Sequence, residues 1–316
     1  MRIVRHHDEF PPACRGGAVA LGNFDGVHRG HRMVIETAGA AARALGTEAP
    51  FGVMTFDPHP RRLFQPDLPP FALSGLRTKA HRIEDLGAHF LYLQHFDKAF
   101  ATHPPEWFVR DVLVGGLGVR HVVIGEDYRF GRGRRGDAAL LRAMATDLGF
   151  GVTAVAPVTD ADGRVLSSTR AREAIQAGRI DEAAAVLGHL WEVEGRVEHG
   201  DARGRLIGFP TANLRLGDYV RPADGVYAVW AGVDRGRATE WRPGVANYGR
   251  RPTFDETTPL LEVHLFDFAG DLYGQHLRVQ MVAHLRPERK FDGLDALKAQ
   301  IAADAEQARR LLDAKG

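Results

Sequence analysis

A short segment near the start of the sequence places glycines among side chains that can bind anions. Residues 21–31 read LGNFDGVHRGH and follow the apolar run GAVAL. His28 and His31 are three residues apart, so at the start of a helix their imidazoles would lie on one face. Two donors aimed at one point can stabilise the charge that develops on a phosphorus atom during in-line displacement. Three glycines allow close approach of a ligand or positive φ angles: Gly22, Gly26 and Gly30.

A purely structural turn and a metal site fit these residues less well. A glycine-rich turn between a strand and a helix is common and needs no ligand. A zinc site would use the two histidines, but the glutamate of HExxH is missing and no third ligand is evident nearby. The segment also lacks the GxxxxGK[ST] pattern of a Walker loop and the GxGxxG pattern of a dinucleotide site. We therefore predict a phosphate site.

The elements around this segment alternate in type. Between residues 17 and 157, short apolar runs such as FGVMTF, FLYLQHF and VRHVVIG are separated by amphipathic helical stretches. This alternation predicts βαβ units and a parallel sheet covered on both faces. In such folds, nucleotides bind at the carboxyl ends of strands, where the N–H groups and the dipole of the next helix attract phosphate. The segment 21–31 follows the first predicted strand and occupies such a position.

The pattern changes after Gly188. Five runs then read as strands with turns but no helix between them: WEVEGRVEHG, GVYAVWAGV, RPGVANYG, PLLEVHLFDF and HLRVQMVAHL. They predict a small antiparallel barrel or sandwich, and the last stretch of the chain has helical spacing. We therefore predict two domains, residues 1–187 and 188–316, as the chain length of 316 residues also suggests.

Composition limits the classes of function. With 41 basic and 40 acidic residues, the formal net charge is +1, which gives no overall reason to expect nucleic acid or an anionic membrane as partner. Cys14 is the only cysteine, so an intrachain disulfide and a thiolate metal cage are excluded. No apolar run approaches the roughly 18 residues of a membrane span, and the N-terminus lacks the apolar core of a signal peptide. We expect a cytoplasmic protein that binds neither nucleic acid nor membrane; its oligomeric state stays open.

Three more motifs follow the first in order: TFDPHP at residues 55–60, GEDYRFG at 125–131 and SSTRAR at 167–172. Together the four motifs resemble the bacterial bifunctional riboflavin kinase/FAD synthetase (FMN adenylyltransferase) family. The resemblance covers nearly the whole chain and implies an α/β fold class. The implied N-terminal domain is a Rossmann-like nucleotidyltransferase with a parallel sheet. The implied C-terminal domain is an antiparallel β-barrel similar to riboflavin kinase, closed by a C-terminal helix.

The resemblance also implies roles for residues of the N-terminal half. It makes His28, His31 and Arg172 the catalytic residues of adenylyl transfer. It assigns nucleotide and phosphate binding to Gly22, Phe24, Asp25, Gly26, Gly30, Ser168 and Thr169. It assigns the flavin or adenine pocket to Phe56, Asp57 and Asp127. Taken alone, these motifs are also typical of ordinary structural features: a turn set by prolines, a solvated arginine-rich loop after Arg129, and a Ser or Thr helix cap.

The second half contains the motif PTAN within residues 200–214, GDARGRLIGFPTANL. A hydroxyl and an amide oxygen on small residues suit a hard cation such as Mg²⁺, which travels with ATP phosphates. Taken alone, the motif is also typical of a Pro-Thr turn that enters a strand. GxPTANL is similar to the flavokinase signature, which implies that ATP and Mg²⁺ are bound by Gly208, Pro210, Thr211 and Asn213. In that signature Thr211 and Asn213 are the metal ligands.

The motif EVHLFDF begins at Glu262. On a strand, Glu262 and His264 point to the same face. Taken alone, two polar residues on one face are also typical of the solvent-exposed side of a sheet. A carboxylate near a primary hydroxyl can accept its proton as the hydroxyl attacks the γ-phosphate, and the resemblance assigns this role to Glu262. The motif RPERKF implies that Arg289 binds the flavin. Arg251 stands where many relatives carry Asn, which leaves the contacts of that loop open.

The resemblance implies a two-step enzyme. The C-terminal module phosphorylates riboflavin with ATP to give FMN, and the N-terminal module transfers AMP from a second ATP to FMN, giving FAD and pyrophosphate. Mg²⁺ is implied in both modules. One alternative is a nucleotidyltransferase that acts on another acceptor and whose barrel binds a ligand without catalysis. The motifs PTANL and EVHLFDF argue against it, because a barrel that only binds needs no Mg²⁺ and phosphate loop opposite a carboxylate. The other is a non-catalytic nucleic-acid-binding protein, which the near-zero charge and the lack of an RNP-like aromatic strand disfavour.

Overall fold

A computed structural model describes residues 1–199, 208–249 and 259–314. The chain divides into two compact units. The first comprises residues 1–68 and 79–166, and the second comprises residues 69–78 and 167–316. Among the described residues, no helix combines the length and the apolar composition needed to cross a membrane.

The first unit contains a six-stranded parallel sheet with the order β1-β4-β3-β2-β5-β6. Its strands are β1 (Arg2–Val4), β2 (Ala18–Leu21), β3 (Phe51–Asp57), β4 (Phe90–His95), β5 (His121–Gly125) and β6 (Gly151–Val155). The chain passes from β2 to β3 and β4 on one side and then returns to β5 on the other side of β2. The strand order therefore reverses between β2 and β5, which is where open α/β sheets bind ligands. Strand β1, which is only three residues long, was not predicted from the sequence.

Helices connect these strands, and apolar side chains fill both faces of the sheet. The helices are α1 (Arg29–Leu45), α2 (Pro60–Phe64), α3 (Leu76–Asp85), α4 (Lys98–Ala101), α5 (Pro105–Trp107) and α6 (Ala138–Leu148). Along β2, Ala18 and Ala20 belong to one core cluster, whereas Val19 and Leu21 belong to the other. This alternation confirms the predicted sheet with two covered faces. After α5, residues Phe108–Gly116 form a π-helix, which apolar spacing does not distinguish from an α-helix.

The second unit contains a six-stranded antiparallel sheet with the order β7-β12-β9-β10-β11-β8. Its strands are β7 (Trp191–Arg196), β8 (Ala212–Arg215), β9 (Gly225–Val233), β10 (Arg242–Gly249), β11 (Leu260–Leu265) and β12 (His276–Arg286). The backbone N–H of Glu198 donates to the carbonyl of Asn213 at 2.9 Å, so the chain just beyond β7 pairs with β8 and nearly closes the sheet. This confirms the predicted barrel.

The described part of the second unit contains three α-helices that begin and end within it: α7 (Ser168–Gln176), α8 (Ile180–Leu187) and α9 (Leu294–Asp313). The C-terminal helix α9 packs on β9, β10 and β12 and buries Ala308 and Leu312, as the sequence predicted. Helix α8 ends at Gly188, whose φ of 79° is a left-handed value that glycine adopts without strain.

Residues 69–78 join the second unit although they precede α7 by about ninety positions in the sequence. The indole N–H of Trp191 donates to the carbonyl of Leu73 at 3.0 Å. The N–H of Thr78 donates to the Glu194 carboxylate at 3.2 Å. These contacts were not expected from the sequence, because the segment lies between two strands of the parallel sheet. The division of function at residues 187 and 188 stays a prediction.

Candidate active sites

The loop between β2 and α1 follows the strand at which the sheet order reverses. Phe24 and Val27 have φ values of 46° and 42°, and Gly26 has a φ of 80°. For residues with side chains, such left-handed conformations cost on the order of 1–3 kcal/mol and persist only where neighbouring groups restrain them. The buried ring of Phe24 packs edge-on against His31, with 5.3 Å between ring centroids. Packing of the Phe24 ring therefore helps to hold the loop in its left-handed conformation.

His28 caps the first turn of α1. Its Nδ1 atom accepts the backbone N–H groups of Gly30 and His31 at 3.1 and 3.3 Å. Because Nδ1 accepts, the ring proton of the neutral imidazole lies on Nε2. His28 is 7% exposed, and its ring stacks on that of His31 with 3.6 Å between centroids. The structure thus brings the two imidazoles together, but His28 lies at the cap and not within the helical turn that the sequence analysis assumed.

Two buried polar side chains that are not among the predicted site residues contact this loop, although Thr55 begins the motif TFDPHP. Lys79 on α3 donates from Nζ to the carbonyl of Asn23 at 2.9 Å. Thr55 on β3 donates from Oγ1 to the same carbonyl, also at 2.9 Å. Burial lowers the pKa of Lys79, an effect that the carboxylates of Asp25 and Asp57 partly oppose. Lys79 lies in the amphipathic stretch RTKAHRIEDLG, where a lysine is typical of the solvent-exposed face of a helix. The sequence pattern therefore does not indicate that Lys79 is buried.

The residues predicted to form a flavin or adenine pocket follow the strands on either side of β2. Phe56 and Asp57 end β3, and Asp127 follows β5. Asp57 and Asp127 are exposed, whereas Phe56 is buried and packs edge-on against Phe96 at 5.5 Å. Because parallel strands end at the same edge of a sheet, these residues and the β2 loop share that edge.

The motif SSTRAR begins α7 in the second unit. The Ser167 side chain accepts the N–H of Arg170 at 3.3 Å, so Ser167 is the helix cap, and Ser168 and Thr169 lie in the first turn. The guanidinium of Arg172 donates from Nε to the carbonyl of Phe71 at 2.7 Å and lies 5.5 Å from the centre of the Phe71 ring. Arg172 is thus held against residues 69–78 of the same unit.

A row of polar side chains crosses three strands of the barrel. In the sheet register, Glu262 on β11 lies opposite Asn213 on β8 and opposite Asn247 on β10. Directly paired residues project on the same face of a sheet. On β11 the alternate residues Leu261 and Val263 are buried, so Glu262 faces away from the barrel core. The three polar side chains therefore form one row on the outer face of the barrel, where Asn213 is buried and Glu262 and Asn247 are partly exposed.

The motif PTAN leads into this row. Thr211 immediately precedes β8 and lies two residues before Asn213. Asn213 is 4% exposed, and its Oδ1 atom has no hydrogen-bond partner in the part of the chain that the structure describes. Nδ1 of His264 lies 2.8 Å from the carbonyl oxygen of Pro210, which ties the start of the motif to β11. Gly208, at the edge of the described residues, has a φ of 88°.

Arg289 lies beyond β12 and is exposed. Its guanidinium stacks at 4.9 Å on the ring of Phe291 and hydrogen-bonds to Gln300 of α9. The preceding residue, Glu288, accepts from the side-chain amide of Asn247 at 3.2 Å. The chain that carries Arg289 is therefore linked to the polar row through Glu288. Arg251 and residues 200–207 lie outside the described residues.

Comparison with known proteins covers both halves of the chain. A family model described as FAD synthetase matches residues 11–170, and one described as riboflavin kinase matches residues 187–312. The bifunctional riboflavin kinase/FMN adenylyltransferase of Escherichia coli K12 is 41% identical over 310 residues, covering 98% of this chain and 97% of the relative. The protein of the same description from Bacillus subtilis 168 is 40% identical over 317 residues, with the same coverage.

A solved structure also resembles the whole chain. It is described as a macrolide-efflux protein from Streptococcus pneumoniae, with a TM-score of 0.84 and 33% sequence identity. The similarity covers 98% of this chain and 99% of that one. The fold of this chain is therefore shared with a solved protein.

The contact between Gly30 and His28 can be tested without any substrate. A Cβ atom on Gly30 would lie 3.0 Å from Cε1 of His28, whereas one on Gly39 of the same helix would find neighbours at ordinary distances from 3.5 Å. We expect Gly30→Ala to displace the His28 ring and to be less stable than Gly39→Ala by about 1–3 kcal/mol. Thermal unfolding and the ring proton shifts of His28 measure both effects. Equal melting temperatures of Gly30→Ala and Gly39→Ala, with unchanged ring proton shifts of His28, would show that position 30 can hold a Cβ atom without displacing His28.

Proposed function

The chain belongs to the family of bifunctional riboflavin kinase/FMN adenylyltransferases, and from this premise we propose which residues carry each reaction. The enzyme phosphorylates riboflavin with ATP to give FMN and transfers AMP from a second ATP to FMN, giving FAD and pyrophosphate. The match to both family models argues against a barrel that only binds and against a non-catalytic nucleic-acid-binding protein.

Adenylyl transfer is assigned to the loop between β2 and α1. A phosphate oxygen of FMN attacks the α-phosphorus of ATP, and pyrophosphate leaves without a covalent enzyme intermediate. The observation that carries this assignment is the capping of α1 by Nδ1 of His28, which leaves Nε2–H as the donor of that ring. Together with His31 and the loop N–H groups, this donor stabilises the charge on the reacting phosphate, and preorganised donors cost no rearrangement during the reaction.

The other N-terminal roles are proposed from the family motifs. Phe56, Asp57 and Asp127 contribute to the flavin or adenine pocket, supported by their place at the sheet edge shared with the β2 loop. Ser168 and Thr169 bind the triphosphate, supported by their place in the first turn of α7. Arg172 assists the transfer, and its hydrogen bond to Phe71 orients the guanidinium.

Riboflavin phosphorylation is assigned to the polar row of the barrel. Glu262 accepts the proton of the riboflavin hydroxyl as its oxygen attacks the γ-phosphorus of ATP. The observation that carries this role is its register position between Asn213 and Asn247 on the outer face. Gly208 and Pro210 approach the ATP phosphates, and Arg289 contacts the flavin, supported by the link between Glu288 and Asn247.

The residues present fit Mg²⁺ in the kinase module. Asn213 presents a buried amide oxygen that accepts no hydrogen bond among the described residues, and oxygen ligands are those that Mg²⁺ prefers. Thr211, two residues before Asn213, supplies a hydroxyl. When bound with ATP, Mg²⁺ neutralises charge on the phosphates. The two side chains orient the phosphates relative to Glu262.

Three broader assignments complete the proposal. We place the division between the modules at residues 187 and 188, supported by the start of the riboflavin kinase match at residue 187. A cytoplasmic location is supported by the use of ATP in both reactions. Riboflavin, FMN and ATP are the small-molecule partners, and the number of subunits is not assigned.

Replacement of His28 by asparagine tests the adenylyl-transfer assignment. Asparagine also caps helices, so His28→Asn retains an acceptor for the α1 N–H groups but lacks the imidazole donor. We expect FMN adenylylation to fall by about 10²–10³ while riboflavin phosphorylation continues, so that FMN accumulates. Chromatography of the flavins measures both steps. Normal FAD formation by folded His28→Asn and His31→Ala variants would refute the assignment.

Replacement of Glu262 by glutamine tests the base of the kinase reaction. The amide keeps the shape of the side chain but cannot accept the proton, so FMN formation should fall by roughly 10²–10⁴. The melting temperature should barely change, since a half-exposed strand residue tolerates this exchange within about 0.5 kcal/mol. Supplied FMN should still become FAD. Glu306→Gln on the exposed face of α9 is the matched control, and a Glu262→Gln enzyme as fast as this control would contradict the role.

Replacement of Asn213 by alanine tests the Mg²⁺ ligand. We expect the Mg²⁺ concentration for half-maximal riboflavin phosphorylation to rise by about 10–100-fold, because an oxygen ligand is removed. The Mg²⁺ dependence of FMN adenylylation in the same protein should stay unchanged and serves as the internal control. An unaltered Mg²⁺ requirement of the kinase step would exclude Asn213 as a ligand.

A further inference from the structure

Lys79 is a buried lysine within the first unit. It is 7% exposed, although lysine is among the residues least often buried. Burial lowers its pKa, which means that holding the ammonium there carries a free-energy cost. Groups kept in place against such a cost cluster at functional sites. The contacts of Lys79 connect it to the loop between β2 and α1.

The ammonium holds one particular carbonyl. Nζ of Lys79 and Oγ1 of Thr55 both donate to the carbonyl of Asn23, each at 2.9 Å. Thr55 is fully buried, so both donors are fixed by their surroundings. The carbonyl belongs to the residue just before Phe24, where the backbone enters its left-handed stretch. The pair of hydrogen bonds therefore restrains the strained part of the loop.

The ammonium also balances charge in the loop. Asp25 is 4% exposed, and its carboxylate interacts electrostatically with Lys79, as does that of Asp57 at the end of β3. A carboxylate within a loop that receives a triphosphate repels the incoming anion. A buried ammonium beside it reduces this repulsion without contacting the nucleotide.

We propose that Lys79 is a positioning residue for adenylyl transfer, which holds the Asn23 carbonyl and thereby fixes the loop and His28 in the geometry that the reaction requires. The inference rests on the assignment of this reaction to the loop between β2 and α1. Lys79 acts through Asn23, and Thr55 is its partner from the neighbouring strand. The substrate-contacting groups remain those of the loop and the two histidines.

The test compares Lys79→Met with Lys98→Met in the full chain. Methionine keeps most of the apolar stem but lacks the ammonium, and Lys98 is an exposed lysine of the same unit. We expect Lys79→Met to lower kcat of FMN adenylylation by about 10–100-fold, since small displacements of catalytic groups have effects of this size. The KM for ATP should change less than about threefold, because the lost restraint matters most in the transition state. Riboflavin phosphorylation by the same molecules should be unchanged.

A second pair of variants covers the case in which Lys79→Met does not fold. Thr55→Val removes the other donor to the Asn23 carbonyl at nearly constant shape. Thr37→Val removes a comparable hydrogen bond, from Thr37 to the carbonyl of Met33, on the exposed side of α1. We expect a lower adenylylation kcat in Thr55→Val than in Thr37→Val, with each variant assayed well below its melting temperature.

The outcomes distinguish failure of the positioning role from failure of the loop assignment. A folded Lys79→Met enzyme with adenylylation kcat close to that of Lys98→Met overturns the positioning role. If Lys79→Met does not fold, equal kcat values in the two threonine variants overturn it. His28→Asn is measured alongside: if it also keeps full adenylylation activity, the assignment of the loop itself has failed. Loss of activity in His28→Asn but not in the Lys79 and Thr55 variants refutes only the positioning role.

Discussion

The hydrogen bonds from the first turn of α1 to Nδ1 of His28 are the interaction on which the geometry of the loop proposed for adenylyl transfer depends. They set the ring tautomer, because a nitrogen that accepts two N–H groups cannot carry the proton. They also place the imidazole at the positive end of a helix and at the point where the sheet order reverses. Stacking on His31 then aligns the second ring. A single cap thus links backbone structure to the chemistry proposed for the site.

The loop before this cap shows how a parallel sheet positions reactive groups. The carbonyl of Asn23, just before the left-handed Phe24, accepts hydrogen bonds from Thr55 on the adjacent strand β3 and from Lys79 on α3. Each of these partners is buried, so the loop is restrained by groups that themselves have little freedom. This arrangement places the cost of an irregular backbone in the surrounding core.

The barrel positions its polar groups by another principle. Antiparallel pairing places Asn213, Glu262 and Asn247 side by side although they are distant in sequence, and the alternation along each strand keeps apolar neighbours in the core. Phosphoryl transfer requires positioning and charge stabilisation more than covalent chemistry, and the role proposed for this row rests on the positioning that three paired strands provide.

The sequence by itself determined the class of each half of the chain, because alternation of apolar runs with helical stretches and then of strands with turns is encoded locally. It also marked the histidine pair, PTAN and Glu262 as candidate site residues, since these lie in recognisable motifs, and their roles remain predictions. Only the tertiary structure decided that residues 69–78 belong to the second unit, that His28 is a cap, and that Lys79 is buried against Asn23. Those features depend on contacts between residues far apart in the chain, and the local pattern around Lys79 is that of a solvated helix face. The physical reason is that periodicity reports which face of an element is apolar, whereas the partner of a buried polar group is set by the packing of separate elements.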